Sequence, residues 1–227
     1  MKRRRLLGAA ALSPWAARAA TDAPSGPAGK ARVDTARLPA PGSYSLARVM
    51  AAPSGVVLDS DGRAHRLHTL LRGRLSVVSF IYTYCRDPEG CPRAWAALEG
   101  LYTALRADAV LAQRAQIVSV SFDPTHDTPE VMRQFAGARS ADPLVRWRFL
   151  TTASVQALLP LLRGFGQDVS VDTDAAGRPT RTLNHLLKLF LVDAQLQVRE
   201  IYGLATLDPQ ALLNDLQTLR LEELAAR

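Results

Sequence analysis

The chain has 227 residues, with 28 Lys and Arg, 21 Asp and Glu, and a formal net charge of +7. Five of the basic residues lie in residues 1–20, which contain no acidic residue, so 23 basic residues face 21 acidic ones, a net charge of +2, in the rest of the chain. The basic excess therefore belongs to the N-terminal segment, and the remainder lacks the charge that is typical of a nucleic-acid-binding protein.

Residues 1–20 have the layout of an export signal. Basic residues Lys2–Arg5 precede an apolar run over Leu6–Ala17, and small residues at Ala17-Arg18-Ala19 give an A-x-A cleavage pattern. The apolar run is too short to span a bilayer comfortably. We therefore predict a signal peptide and a periplasmic or otherwise exported protein. The arginine run also fits a twin-arginine signal. If the leader were not cleaved, it would anchor the protein to the inner membrane. The alternative interpretation of this segment is a basic disordered tail.

Residues 21–43 are rich in Pro, Gly, Ala and Ser and show no apolar periodicity, which predicts a flexible linker. No later apolar run approaches transmembrane length. Residues 44–227 are long enough for one domain with a substantial core, and we predict a single domain there.

The first predicted elements surround the cysteines. Residues 55–71 alternate around the turn Ser60-Asp61-Gly62, which predicts a β-hairpin. Residues 75–84 (LSVVSFIYTY) form a continuous apolar and β-branched run, typical of a strand buried on both faces. Pro92 then begins a stretch with helical apolar spacing, a position that proline favours in the first turn of a helix.

The remaining chain continues the alternation of strands and helices. The pattern predicts a strand over 115–122, a helix from Pro129 capped by Asp127 or Thr128, a strand over 147–151, a helix over 154–166, a long irregular connection over 167–184, a hairpin around Ala194-Gln195 and a helix over 208–226. This order predicts an α/β fold with helices on both faces of one sheet.

Cys85 and Cys91 are the two cysteines of the chain, and they lie between the buried strand and the following helix. Asp87-Pro88-Glu89-Gly90 fits a type I β-turn, which would bring the flanking cysteines within disulfide range. The helix N-terminus would also favour a thiolate at Cys91. A redox pair and a metal site both remain possible. A purely structural disulfide is less favoured, because so short a loop gains little from closure.

His185 is the histidine best placed to join the cysteines, because it follows the long connection and immediately precedes a buried strand. A strand that entered the sheet beside the cysteine strand would bring its imidazole to the sulfur atoms. Two thiolates and one imidazole suit copper better than magnesium or calcium. Zinc accepts the same ligands but usually takes a fourth.

Five segments, in order over roughly residues 45–222, resemble the SCO/SenC family of copper chaperones for cytochrome c oxidase assembly. They are the hairpin and strand that end in F-x-Y-T-x-C, the pair Cys91-Pro92, the segment VSVSFDPTHDTPEVMRQF, the segment FLTTASVQALLPLLRGFG, and NHLLKLFLVD. The chain departs from the family pattern at two places. It has C-x5-C where the family has C-x3-C, and Asn184 and Leu186 flank the histidine in place of Asp and Ser or Thr.

This resemblance implies a thioredoxin-like fold, with a central mixed sheet flanked by helices and an N-terminal β-hairpin. It implies that Cys85, Cys91 and His185 bind one copper ion, as Cu(I) or Cu(II), and that Asp123 lies behind the cysteines without binding the metal. The expected partners are a client copper protein or oxidase subunit and a thiol reductase, and we expect a monomer. The alternative is a thiol–disulfide oxidoreductase in which Cys85 and Cys91 act on exported client proteins.

Overall fold

The computed structural model describes residues 38–226. The predicted signal peptide and residues 21–37 of the predicted linker lie outside the described residues. The last linker residues contact the C-terminal helix α6 (Pro209–Ala225). The Gly42 N–H donates to Thr218 Oγ1 at 3.0 Å, and Asn214 Nδ2 donates to the Pro39 carbonyl at 3.1 Å. Within the described range, no helix is long and apolar enough to cross a membrane.

The described chain forms ten strands, six α-helices and one 3-10 helix. The strands are β1 Met50–Ala51, β2 Val56–Leu58, β3 Ala64–Arg66, β4 Leu75–Ile81, β5 Ala115–Ser121, β6 Trp147–Leu150, β7 Val169–Thr173, β8 Pro179–His185, β9 Lys188–Val192 and β10 Gln197–Gly203. The helices are α1 Leu67–Leu71, α2 Gly90–Ala107, α3 Ala109–Arg114, α4 Pro129–Ala136, the 3-10 helix Gly137–Ala141, α5 Val155–Gly164 and α6.

A six-stranded mixed sheet in the order β1-β10-β9-β4-β5-β6 forms the centre of the fold. Strands β4, β5 and β6 are parallel, whereas β9 is antiparallel to β4 and β10 is antiparallel to both β9 and β1. Buried residues of α2, α4 and α6 cover one face, and those of α1 and α5 cover the other. The predicted sheet flanked by helices is therefore confirmed, and β2 and β3 form the predicted N-terminal hairpin.

Strand β4 positions the cysteine loop. Its side chains alternate between two apolar clusters, with Leu75 and Val77 in one and Val78 and Phe80 in the other. This burial on both faces confirms the interpretation of its continuous apolar run. The strand ends at Ile81, three residues before the predicted end, because the chain turns and the Cys85 N–H donates to the Tyr82 carbonyl at 3.2 Å.

The prediction of an irregular connection over 167–184 is wrong, because β7 and β8 form a separate antiparallel hairpin there. Its turn is closed by the Gly177 N–H, which donates to the Asp174 carbonyl at 2.9 Å. Gly177 has a positive φ of 75°, which glycine adopts without strain. The hairpin matters for function because its second strand ends at His185.

Candidate metal and redox site

Cys85 and Cys91 form a disulfide in the structure, with their Cα atoms 6.6 Å apart. Cys85 follows the end of β4, and Cys91 is the second residue of α2, which begins at Gly90, two residues before the predicted start at Pro92. Cys91 therefore lies in the first turn, where free backbone N–H groups and the helix dipole stabilise a thiolate once the bond is reduced.

The Asp87 side chain closes the loop between the cysteines. Its two carboxylate oxygens accept hydrogen bonds from the Glu89 N–H at 2.9 Å and the Gly90 N–H at 3.0 Å. The predicted turn is thus held by a side chain that also satisfies one of the free N–H groups at the start of α2. Gly90 permits this approach, since a Cβ atom there would collide with the Asp87 carboxylate.

The disulfide opens into a cavity of about 370 Å³ beyond the carboxyl end of β4. Both cysteines, Asp87 and His185 line it, and the rest of the lining is largely apolar: Phe80, Ile81, Tyr82, Pro92, Ala94, Trp95, Leu98, Phe135 and Leu187, with Thr83. Ligand sites in α/β sheets are typically found at this end of the strands. Cys85, Cys91 and His185 therefore line one common cavity.

His185 reaches the cavity because β9, three residues further along the chain, pairs with β4. Its Nδ1 lies 3.0 Å from the Leu183 carbonyl oxygen, which can only accept, so Nδ1 carries the proton and Nε2 keeps its lone pair. The ring packs against Phe122 at 4.4 Å and Tyr82 at 5.8 Å between centroids. These contacts fix the ring, and the tautomer is the one in which Nε2 can bind a metal.

The donor set depends on the redox state of the cysteines. In residues 38–226, no three His, Cys, Asp or Glu side chains are grouped as a preformed metal site, and the two sulfur atoms are bonded to each other. Reduction of the disulfide by two electrons would supply two thiolates in the cavity that His185 also lines. Two soft sulfur donors and one nitrogen donor suit copper, so the residues fit that metal in the reduced state.

Asp123 makes hydrogen bonds with Tyr84, which precedes Cys85, and with the loop that follows β5. Its carboxylate accepts from the Tyr84 hydroxyl at 2.5 Å and from the Thr125 N–H at 3.0 Å, and it also binds the Thr125 hydroxyl and the His126 N–H. Burial by itself raises the pKa of Asp123, but these hydrogen bonds outweigh it and the pKa lies below its ordinary value. Asp123 thus orients Tyr84, the residue immediately before Cys85.

Asp127 is a site residue that the sequence interpretation missed, because it was considered only as a helix cap. Thr128 caps α4 instead, accepting from the Val131 N–H at 3.3 Å. Asp127 is fully buried and accepts from the Thr83 hydroxyl at 2.6 Å, the Thr83 N–H at 3.2 Å, the Ser121 hydroxyl at 2.6 Å and His126 Nδ1 at 3.0 Å. It thereby anchors the cysteine loop two residues before Cys85.

The other three histidines lie outside the cavity lining. His65 binds Asp59 in the first hairpin at 2.7 Å, and His68, which lies in α1 and not in the hairpin as expected, binds the Ala52 carbonyl at 2.7 Å. His126 stacks edge-on against Tyr84, with centroids 4.6 Å apart. The sequence singled out His185 as the histidine best placed to join the cysteines, and it is the one of these four histidines that lines their cavity.

Comparisons with known proteins agree with the sequence resemblance. The family model SCO1/SenC matches residues 56–220. The copper-bound ScoI of Arabidopsis thaliana is 17% identical with a TM-score of 0.60, over 76% of this chain and 99% of its own. BsSco, a Sco-family cytochrome c oxidase assembly protein with a disulfide switch, is 22% identical with a TM-score of 0.57, over 78% and 98%.

A third solved structure, a SCO1/SenC family lipoprotein from Bacillus anthracis str. Ames, is 22% identical with a TM-score of 0.58, over 81% of this chain and 99% of its own. A comparison with curated protein sequences finds no match. The structural similarities confirm the thioredoxin-like fold. Because the family model covers most of the domain, the chain belongs to the SCO1/SenC family.

Proposed function

We propose that the protein, once exported and reduced, binds one copper ion as cargo through Cys85, Cys91 and His185 and delivers it to a respiratory oxidase or a similar copper site. The observation that carries this proposal is that Cys85, Cys91 and His185 line one cavity, with His185 Nδ1 engaged by the Leu183 carbonyl. The copper-bound Arabidopsis relative and the assembly role of BsSco support the same cargo and the same kind of client.

Delivery requires a copper site that can accept a ligand from the client before it releases its own. Three protein donors are one fewer than the closed four-ligand sites that hold structural metals. The half-buried cysteines line the cavity and flank the exposed residues of the Asp87 turn. A client ligand could therefore approach from solvent and replace the protein ligands stepwise.

Export is part of the proposal because the disulfide and the N-terminal pattern agree. A Cys85–Cys91 bond persists in oxidising compartments such as the periplasm. The relative from Bacillus anthracis is a lipoprotein, which also supports a location outside the cytoplasm. A thiol reductase of that compartment would then prepare the site for copper, and we propose that the protein acts as a monomer.

A titration of the reduced full-length protein with Cu(I) and Cu(II), following stoichiometry and thiolate-to-copper absorption, tests the copper proposal. We expect one copper per chain in the wild type, loss of tight binding in His185→Ala, and unchanged binding in the control His65→Ala, whose imidazole binds Asp59 in the hairpin. Absence of copper binding by the reduced wild type, or equal binding by His185→Ala, would contradict the proposal.

Thiol–disulfide exchange is the second candidate, favoured by the disulfide itself and by the position of Cys91 at the start of α2. In the reduced protein, one thiolate attacks a client disulfide, a mixed disulfide forms, and one client thiolate leaves. The second cysteine then attacks the mixed disulfide, which yields the Cys85–Cys91 bond and a client dithiol. Exchange does not need the imidazole, so His185→Ala separates the candidates: it should abolish copper binding and leave exchange with a small disulfide unchanged.

A further inference from the structure

A second polar site lies at the amino ends of the parallel strands, opposite the cysteine cavity. Arginines directly precede each of the three strands: Arg74 precedes β4, Arg114 precedes β5 and Arg146 precedes β6. Because the strands are parallel, their amino ends lie at the same end of the sheet. The register pairs Leu75 with Ala115, which places Arg74 beside Arg114, and it pairs Ile117 with Trp147, which places Arg146 beside Gln116, two residues further along β5.

A fourth arginine belongs to the same group. Arg148 lies two residues after Arg146, and alternation along the strand places both on the same face of β6, the edge strand of the sheet. Arg74, Arg146 and Arg148 together line a cavity of about 420 Å³ whose lining is largely polar. This cavity shares no lining residue with the cysteine cavity.

The cationic groups in this cavity are poorly compensated. Within residues 38–226, the guanidinium groups of Arg146 and Arg148 make no hydrogen bond or ion pair, and Arg148 Nε is buried without a partner. Arg74 donates to the Gln113 carbonyl at 2.7 Å. Burial, followed by the charge of Arg146, lowers the pKa of both Arg74 and Arg148, which indicates that these cations repel one another.

The acidic groups near the cavity are already engaged. Asp142, which also lines the cavity, accepts from the Tyr102 hydroxyl and from Arg106. Glu223 binds Arg114 at 2.6 Å. Asp59, which acts on Arg148 from the first hairpin, is bound by His65. The cavity therefore keeps an excess of positive charge.

We propose that this cavity binds a phosphate group, either as a free phosphate compound or as the headgroup of a phospholipid. The three arginines that line the cavity offer many N–H donors in planar forks, and a phosphate has the oxygen atoms and the charge to accept from several of them at once. A bound anion would relieve the repulsion between Arg74, Arg146 and Arg148. The proposal is independent of copper binding, since the two cavities lie at opposite ends of β4.

The test compares the full-length wild type with the double variant Arg146→Gln/Arg148→Gln and with a control, Arg48→Gln/Arg163→Gln. The control removes two exposed arginines outside the cavity lining and causes the same change in net charge. One arm titrates inorganic phosphate against chloride at constant ionic strength, by calorimetry and by the rise in melting temperature that a ligand of the folded state produces. The other arm measures flotation with phosphatidylglycerol or phosphatidylcholine vesicles.

Hydrogen bonds to a charged group are each worth about tenfold or more in affinity, so the cavity variant should bind at least about tenfold more weakly than the control. Phosphate binding that is lost in the cavity variant supports a free phosphate ligand. Binding to phosphatidylglycerol vesicles without phosphate binding, lost in the same variant, supports a lipid headgroup. If the wild type binds neither probe, or the cavity variant binds as well as the control, the proposal is wrong. All three proteins share the basic N-terminus, so it cannot account for a difference between them.

Discussion

Replacement of Asp127 by Asn tests the anchor of the cysteine loop. The carboxylate is fully buried, and it accepts four hydrogen bonds, from the Thr83 hydroxyl and N–H, the Ser121 hydroxyl and His126 Nδ1. Asn has nearly the same shape but no charge, and one of its two polar groups donates where the carboxylate oxygen accepted. The donors around it must therefore rotate, change tautomer or lose a partner.

The expected cost follows from those four bonds. A hydrogen bond to a charged group contributes about 1.5–3 kcal/mol, against about 1 kcal/mol for a neutral one, so four weakened bonds cost roughly 2–8 kcal/mol. The neutral amide is easier to bury than a carboxylate, which offsets part of this loss. We expect the free energy of unfolding to fall by about 2 kcal/mol, and the melting temperature of a domain of this size to fall by about 4–8 °C.

Urea denaturation and thermal melting of the oxidised protein measure this effect. Asp61→Asn serves as the matched control, since its carboxylate is exposed at the hairpin turn and makes a 3.6 Å contact with Arg63. A change of at most about 0.5 kcal/mol is expected for the control, as is typical of a surface substitution. If Asp127→Asn were as mild as Asp61→Asn, the carboxylate would not be the anchor of the loop.

Two further predictions concern the start of α2 and the acid stability of the domain. Gly90→Ala should lower the free energy of unfolding by about 0.5–1.5 kcal/mol, because the new methyl group displaces the Asp87 carboxylate from the N–H groups that it caps. Gly100→Ala on the same helix should be neutral or stabilising in the same denaturation assay, since its Cβ would lie 3.4 Å from Pro209 in ordinary contact. If both variants lost the same free energy of unfolding, the proposed collision at Gly90 would be wrong. Hydrogen bonds, first from the Tyr102 hydroxyl, lower the pKa of Asp142 from 3.8 to about 2. The contribution of Asp142 to the free energy of unfolding is therefore present above pH 3.8 and is lost as the pH falls toward about 2. In urea denaturation at several pH values, the free energy of unfolding of Asp142→Asn should fall less steeply over this range than that of the wild type. Identical slopes for the two proteins would contradict this.

The part of the site that the sequence predicted depends on buried, continuous patterns. The apolar run of β4 and the short apolar run after His185 are each buried on both faces of the sheet, so their neighbourhood follows from hydrophobic burial alone. That neighbourhood brings the imidazole and the cysteines to the same cavity. The shared cavity could therefore be predicted before any coordinates were available.

The features that the sequence did not predict depend on contacts between distant or polar residues. The β7–β8 hairpin is mostly exposed and polar, so its alternation carries little hydrophobic signal, and tertiary context decides strand formation there. Asp127 becomes a buried anchor only because Thr83, 44 residues away in sequence, donates to it twice. The arginine cavity arises because the fold brings Arg74, which precedes β4, to the same cavity as Arg146 and Arg148 at the start of β6, and each of these arginines looks ordinary by itself.

This chain has two more residues between its cysteines than the C-x3-C pattern of the family, and they have little effect on the backbone on either side of the loop. The sheet fixes the end of β4, and α2 packs against the core from Ala94 onward, so the backbone on both sides of the loop is set by buried contacts. Between those points the Asp87 side chain folds the chain back, and the Cα atoms of the cysteines lie 6.6 Å apart, within disulfide range. The extra length is therefore accommodated by Arg86–Glu89, all exposed to solvent. The insertion therefore changes the exposed surface beside the cysteines, while the strand and helix that flank the loop are held by the core.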